Sequence, residues 1–291
     1  MSDPLELIKQ AEKKAQPTTG FFKFMSNDAD KFEEAADLYV QAANSYRVSK
    51  QVGSAGECFM KAAECQLKAG NDNEAGNTFV EAFKMLKSFE PSKAAESLDK
   101  AISIFTAKTG QFRRAANYQF DLGELYETSL NDFPKAIAAY EAAGEWYGQD
   151  SATSLSNKSY LKCADLKALD NQFFEAVQIY NKVVENSLGN RLSAWSLKEY
   201  YLKIGLCHLA ATDAVAAKKT LQDAQRNTDD PNCREYQLLS TLIDCYNEQD
   251  AEKLSAAVFD FDRFSKLDNW KTTILLKIKD SLISQEDDDL L

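Results

Sequence analysis

The chain holds a single histidine, and that limits the chemistry open to it. His208 stands between Leu206 and Leu209 on the apolar side of an expected helix, a position that suits a packed imidazole better than a proton shuttle. A serine or cysteine nucleophile would need it as a base, and no nucleophile motif lies near it. None of the 11 glycines is followed by lysine and no GxGxxG occurs, so the phosphate-cradling loops are missing as well. The six cysteines (Cys58, Cys65, Cys163, Cys207, Cys233 and Cys245) show no CxxC spacing and fall mostly on expected helix faces. They read as small core residues of a reducing compartment rather than a disulfide or metal framework. Carboxylates outnumber bases, 45 to 34, and the net charge of −11 argues against nucleic acid as ligand, because phosphate binding needs a concentrated positive face. No catalytic residue, metal or cofactor is expected, and the chain is read as one that binds.

The bases that could carry such binding are Lys68, Arg113, Arg114, Lys158, Lys162 and Lys167, followed by Lys182, Arg191, Lys198 and Lys203. Lys158 and Lys162 are four apart and so share a helix face. Taken singly, each base fits an ordinary solvated helix face. As a group on an acidic protein they point to an acidic partner.

The elements that must position them follow from one recurring phrase: a small residue, a bulky apolar one four positions on, and a small or apolar one three further. It occurs as Ala35/Tyr39/Ala42, Ala55/Phe59/Ala62, Ala75/Phe79/Ala82, Ala94/Leu98/Ala101, Ala116/Phe120/Gly123, Ala136/Tyr140/Ala143, Ser156/Tyr160/Cys163 and Ala176/Tyr180/Val183. Successive starts differ by 20, 20, 19, 22, 20, 20 and 20, the kind of period that marks a repeat architecture. Offsets of zero, four and seven form one stripe of a helix, so each phrase is one amphipathic helix. Its small residues admit a neighbour and its bulky residue fills the groove between them. Between phrases lie breakers: Gly53, Gly70-Asn71-Asp72, Glu90-Pro91-Ser92, Thr109-Gly110, Asn131-Asp132-Phe133-Pro134, Gly148-Gln149-Asp150 and Asp170-Asn171. The spacing predicts an all-α, tetratricopeptide-like solenoid of helical hairpins with long helices, capped by a C-terminal helical bundle. Such a solenoid offers one continuous concave surface to an elongated partner.

In chain order, Asp3-Pro4 starts a short first helix that Pro17 ends. Residues 18–28 then hold Phe21, Phe22, Phe24 and Met25 between turn residues. Two readings stay open for them: a fold-back cap on the first helix pair, or an exposed loop that inserts weakly into a membrane. At about 1.5–3 kcal/mol per buried phenylalanine, the second would hold a bilayer only reversibly. The solenoid is expected over 1–190 with this loop, and the bundle over 191–291. After Gly189-Asn190 the phrase weakens, Leu197/Tyr201/Ile204 and Ala217/Leu221/Ala224 keep the register, and three helices are expected near 233–247, 251–265 and 270–284. The chain closes on Gln285-Glu286-Asp287-Asp288-Asp289-Leu290-Leu291. Acidic ends usually do no more than solvate, but two terminal leucines add an apolar anchor suited to docking. No run of about twenty apolar residues and no signal peptide is present, so the protein is expected to be soluble and cytosolic.

Taken together and in this order, the Gly20-Phe21-Phe22-Lys23-Phe24-Met25 loop, Phe32-Glu33-Glu34-Ala35-Ala36, Lys68-Ala69-Gly70-Asn71, Glu74-Ala75-Gly76-Asn77-Thr78, Gly110-Gln111-Phe112-Arg113-Arg114, Ser156-Asn157-Lys158, Lys162-Cys163-Ala164-Asp165-Leu166 and the acidic Leu-Leu end resemble the soluble NSF attachment protein (SNAP) family in its fungal form, over essentially the whole chain. The resemblance implies an adaptor of SNARE disassembly. Such a protein lays the concave face of a twisted helical sheet on a four-helix complex of syntaxin-, SNAP-25- and synaptobrevin-like helices, several copies per complex. Its C-terminal domain recruits the hexameric AAA+ ATPase NSF, which hydrolyses the ATP. It further implies SNARE contacts at Lys158 and Lys162, with Arg113, Arg114, Lys167 and Arg191 as further basic candidates. Phe21, Phe22, Phe24 and Met25 would be the membrane-touching loop, and Leu290 and Leu291 the end linked to stimulation of NSF. Asp213, Asp244 and Glu248 would face NSF, Asp213 only across a one-residue gap. The implied site of action is cytoplasmic and peripheral to membranes. Gln111 and Asn117 depart from the family's bases, so that Arg113 and Arg114 are expected to carry part of that charge, and Asn247 replaces an acid. The alternative is a non-catalytic tetratricopeptide-type scaffold of another trafficking or signalling complex.

Overall fold

The computed structural model describes residues 3–16, 28–189 and 194–289. Among these, every regular element is helical: α1 (Pro4–Lys14), α2 (Asp28–Val48), α3 (Val52–Ala69), α4 (Asp72–Leu86), α5 (Pro91–Ala107), α6 (Phe112–Leu125), a π-helical turn (Tyr126–Leu130), α7 (Phe133–Gln149), α8 (Thr153–Leu169), α9 (Phe173–Ser187), α10 (Ala194–Ala210), α11 (Ala214–Asn227), α12 (Arg234–Glu248), α13 (Ala251–Phe264) and α14 (Asn269–Asp289). This is the all-α hairpin architecture that the phrase requires.

The ends of the helices follow from local chemistry. Asp3 accepts a hydrogen bond from the Leu5 amide and Pro4 occupies the first turn of α1, where a missing N–H costs nothing. Pro91 opens α5 in the same way, and Asp132 with Pro134 opens α7. Gly70 ends α3 in the left-handed region at φ 86°, which a side chain would resist. Gly53, expected as a breaker, lies inside the first turn of α3 because Lys50, at φ 60°, already makes the turn. The last three helices match their expected positions, except that α14 continues through Asp289 into the acidic segment.

Every residue of all ten phrases is buried, and Ala75, Phe79 and Ala82 are fully so. Small residues do what the phrase asks of them: a methyl at Gly123 would lie 2.8 Å from the Tyr140 ring, inside van der Waals contact. That ring is held by Phe120, with centroids 5.2 Å apart, and by its hydroxyl bond to Glu127 at 2.5 Å.

The chain packs as two compact units, residues 1–152 and 153–291, dividing two helices before the phrase weakens. In the first, each of α1 to α6 packs on the next. Short connections make neighbours antiparallel, and alternate helices then run parallel. Lys93 reaches Glu57 at 2.5 Å and Lys100 reaches Glu64 at 3.1 Å, so α5 lies beside α3 with a constant offset of 36 residues. In the second unit α10 is the hub, packing against α9, α11, α12 and α14. Leu202, Ile204, Leu206 and Leu209 on α10 meet Leu239 and Leu242 of α12 and Ile274 and Ile278 of α14 in one core.

Candidate partner-binding site

Helix α8 carries the central lysine pair. Its phrase residues Ser156, Tyr160 and Cys163 turn inward, which leaves Lys158 exposed and Lys162 half-buried. The helix is fixed from below by polar bonds as well as by packing. The Asn157 amide donates to Ser187 Oγ at 3.3 Å and its carbonyl accepts from Asn186 at 3.1 Å. Lys182 donates to the Tyr160 hydroxyl at 2.7 Å with its ammonium 4.0 Å from the ring centroid. Asp165 accepts from Lys203 at 2.6 Å and from the Tyr180 hydroxyl, whose pKa burial and then the Asp165 charge push well up. Lys167 reaches Gln172 at 3.4 Å.

Lys203 is thus not a surface base: it is buried, held by Asp165 and stacked 4.7 Å from the Trp270 ring centroid. Lys198 is also engaged, with Glu235 at 3.0 Å and Trp195 at 4.6 Å. In the first unit Arg113 is exposed and pairs with Asp150 at 2.5 Å. Arg114 is half-buried, stacked 4.2 Å from the Phe105 centroid and bonded to Asn77. The uncharged Gln111 and Asn117 have partners of their own, Asn73 at 2.8 Å and the Tyr147 hydroxyl at 2.7 Å.

The three acids are exposed on the second unit, all on or beside helix ends of α11 and α12. Asp213 caps α11 by accepting from the Ala216 amide at 2.8 Å, and Glu248 pairs with Lys253 at 2.6 Å. His208, half-buried on α10, is pulled below its ordinary pKa by burial, against a weaker opposing pull from Asp213. The six cysteines are buried free thiols, and burial pushes the Cys58 thiol up to about 11. Among the described residues no group of three or more metal-ligating side chains occurs, and no helix is long and apolar enough to cross a membrane.

The sequence model described as "Soluble NSF attachment protein, SNAP" matches residues 2–283. The chain belongs to the SNAP family. It is 58% identical to the alpha-soluble NSF attachment protein of Saccharomyces cerevisiae, with 99% of both chains covered. Against the human alpha-soluble NSF attachment protein the identity is 33%, with 99% of this chain and 97% of that one covered. The fold also resembles a tetratricopeptide-repeat signal-transduction ATPase of Pyrococcus horikoshii (TM-score 0.50, 16% identity, covering 96% of this chain and 44% of that one), a likeness of fold alone.

Of the residues that SNAP resemblance singles out, α8 brings Lys158, Lys162 and Lys167 onto one helix. Arg113 and Arg114 lie on α6 of the other unit. Phe21, Phe22, Phe24, Met25, Arg191, Leu290 and Leu291 lie outside the described residues. The sequence reading missed an apolar groove between α13 and α14, lined by Leu254, Val258, Phe259, Leu267, Leu275 and Leu276. Phe259 and Leu276 are exposed there, at 67% and 55%. Phe259 on α13 and the adjacent Leu275 and Leu276 on α14 were its signal.

Proposed function

We propose that this SNAP-family chain is the non-enzymatic adaptor that binds assembled SNARE four-helix complexes and recruits and stimulates the NSF-type AAA+ hexamer, which takes them apart in vesicle fusion and membrane trafficking. The observation that carries the reading is the family match across residues 2–283. Lys158, Lys162, Lys167, Arg113, Arg114 and Arg191 grip the acidic surface of the SNARE bundle. Asp213, Asp244 and Glu248, with the Leu290-Leu291 end, engage the ATPase. Phe21, Phe22, Phe24 and Met25 touch the bilayer, so the protein works in the cytoplasm at membrane surfaces. In this division of labour the solenoid, residues 1–190, holds the SNARE complex and residues 191–291 address NSF.

The magnitudes suit an adaptor. Exposed ion pairs are worth about 0–1 kcal/mol each, so one copy holds a SNARE complex weakly and in a salt-sensitive way. Several copies, a membrane contact and a hexameric partner multiply that grip through effective concentration.

The deciding experiment is ATP hydrolysis by purified NSF on a preassembled SNARE complex, with the intact chain and with Leu290 and Leu291 removed. Stimulation by the intact chain and its loss without the leucines is the expected result. An intact chain that gives no stimulation overturns the reading. Lys158→Glu with Lys162→Glu is expected to abolish SNARE-complex pull-down at moderate salt, and undiminished pull-down removes these lysines from the interface. Phe21→Ser with Phe22→Ser is expected to reduce liposome flotation, whereas unchanged flotation favours the capping role.

A further inference from the structure

Two bonds in the second unit tie α14 directly to the last turn of α8. The Trp270 indole N–H donates to the Asp165 backbone carbonyl at 3.0 Å. Lys277 donates to the Leu169 backbone carbonyl at 2.7 Å and to Asn171 Oδ1 at 2.6 Å. Leu169 is the final residue of α8, so its carbonyl has no acceptor role left inside the helix, and the Lys277 ammonium caps that end from a helix 108 residues away in sequence. Trp270 is buried and packs edge-on against Tyr180, centroids 6.2 Å apart. The Lys203 ammonium bridges the same place, bonded to the Asp165 carboxylate and lying over the Trp270 ring.

The position of this clamp gives it meaning. Asp165 is one turn beyond Lys162 on the same helix, about 5 Å along its axis. At the other end, α14 runs for 21 residues, about 30 Å, and Leu290 and Leu291 follow it in the chain. One clamp therefore joins the helix that presents the lysine pair to the helix that leads into the acidic end.

We infer that Trp270 and Lys277 are positioning residues that couple occupancy of the α8 lysine face to the order of α14. The inference rests on the adaptor reading above for the identity of the two partners. Its physical content is a coupling between two sites, which must act in both directions. A SNARE bundle seated on α8 steadies α14, and an ATPase pulling on the end of α14 loads α8 through the clamp and not through side-chain packing alone.

Hydrogen exchange of the intact chain, free and with preassembled SNARE complex, tests this, with Lys277→Met, Lys277→Arg and Trp270→Phe alongside. In the unaltered chain the complex is expected to slow exchange in residues 153–169 and also in 269–284, the latter about fivefold or more. In Lys277→Met and Trp270→Phe the protection of 153–169 persists while that of 269–284 is lost, and Lys277→Arg restores it. Pull-down of SNARE complex by these variants stays at the unaltered level, but NSF consumes more ATP for each complex it disassembles. Equal protection of 269–284 in the unaltered chain and in Lys277→Met overturns the inference, and so does protection of 153–169 without any in 269–284. If the complex protects nothing, the adaptor reading fails, and the free chain still decides the clamp: Lys277→Met must speed exchange in 166–169 and 269–284 relative to α10 and α12, and no such change refutes it.

Discussion

The two units use charge in opposite ways. In the first, cations stand outside: Lys93 pairs with Glu57 and Lys100 with Glu64 across the alternate helices α5 and α3, and Lys108, just past α5, pairs with Asp72 at the start of α4, each pair 36 residues apart and half in water. In the second, the decisive cations are inside. Lys203 and Lys271 are both buried, the first against Asp165 and the second between Glu199 at 2.5 Å and Asp268 at 2.9 Å. An exposed ladder adds little energy per rung but repeats with the helices and so keeps their offset constant. A buried pair is costly to assemble and costly to break, and it specifies one place for one helix. The regular unit is held by repetition; the irregular one is held by a few positions that cannot be exchanged.

The comparison breaks most readily at Asp165. Asp165→Asn leaves the buried Lys203 ammonium without its counter-charge and is expected to cost about 3–5 kcal/mol in urea unfolding of the intact chain. A loss below about 1 kcal/mol would put this pair in the same class as the surface ladder.

A smaller effect is expected from pH. Burial works to raise the Asp268 pKa, but the Lys271 backbone amide and ammonium outweigh it and the net shift is downward. Glu235 is also lowered, with burial opposed by its own backbone amide and by Lys198. A carboxyl whose pKa is depressed on folding contributes stability above its unfolded value, near 4, and loses it as pH falls through the folded value. The melting temperature should therefore hold from neutrality down to about pH 4 and drop below it. Lys271→Met should lower it at neutral pH and flatten the acid limb, while an unchanged acid limb would mean that Asp268 owes its shift to the Lys271 backbone amide, which the substitution keeps, and not to the ammonium.

The smallest effect belongs to the ladder. Lys100→Ala is expected to cost at most about 1 kcal/mol in thermal unfolding, and less in high salt than in low. A larger, salt-independent loss would show that its stem, packed with the ammonium 5.5 Å from the Phe79 centroid, matters more than its charge.

What the sequence disclosed follows the same divide. The phrase located the helices and their buried faces because its information is local: offsets of four and seven are neighbours on one helix. Caps such as Asp3, Gly70 and Asp132 are local too. The π-helical turn at Tyr126–Leu130 escaped, since it falls between the phrases at Ala116 and Ala136, whose spacing of 20 is the ordinary one. The site was legible only in part. Lys158 and Lys162 stood out by their spacing, but nothing adjacent in the sequence distinguishes Lys203, whose partner is 38 residues away, from the solvated bases around it. Trp270 meets Asp165 across 105 residues, and a bond to a backbone carbonyl leaves no compositional trace at all.

The buried thiols carry a consequence of another kind. Only a thiolate reacts readily with oxidants and alkylating agents, and burial holds Cys58, Cys65, Cys163, Cys207, Cys233 and Cys245 away from solvent. The five that lie within helices are modified readily only when their own stretch of helix opens, so the rate at which each takes up a thiol reagent is a clock for that opening. Cys58 and Cys65 keep time for α3, Cys163 for α8, Cys207 for the hub, and Cys245 for α12. The protein thus carries built-in reporters of how a load applied at one helix loosens the next, and no label has to be engineered into it.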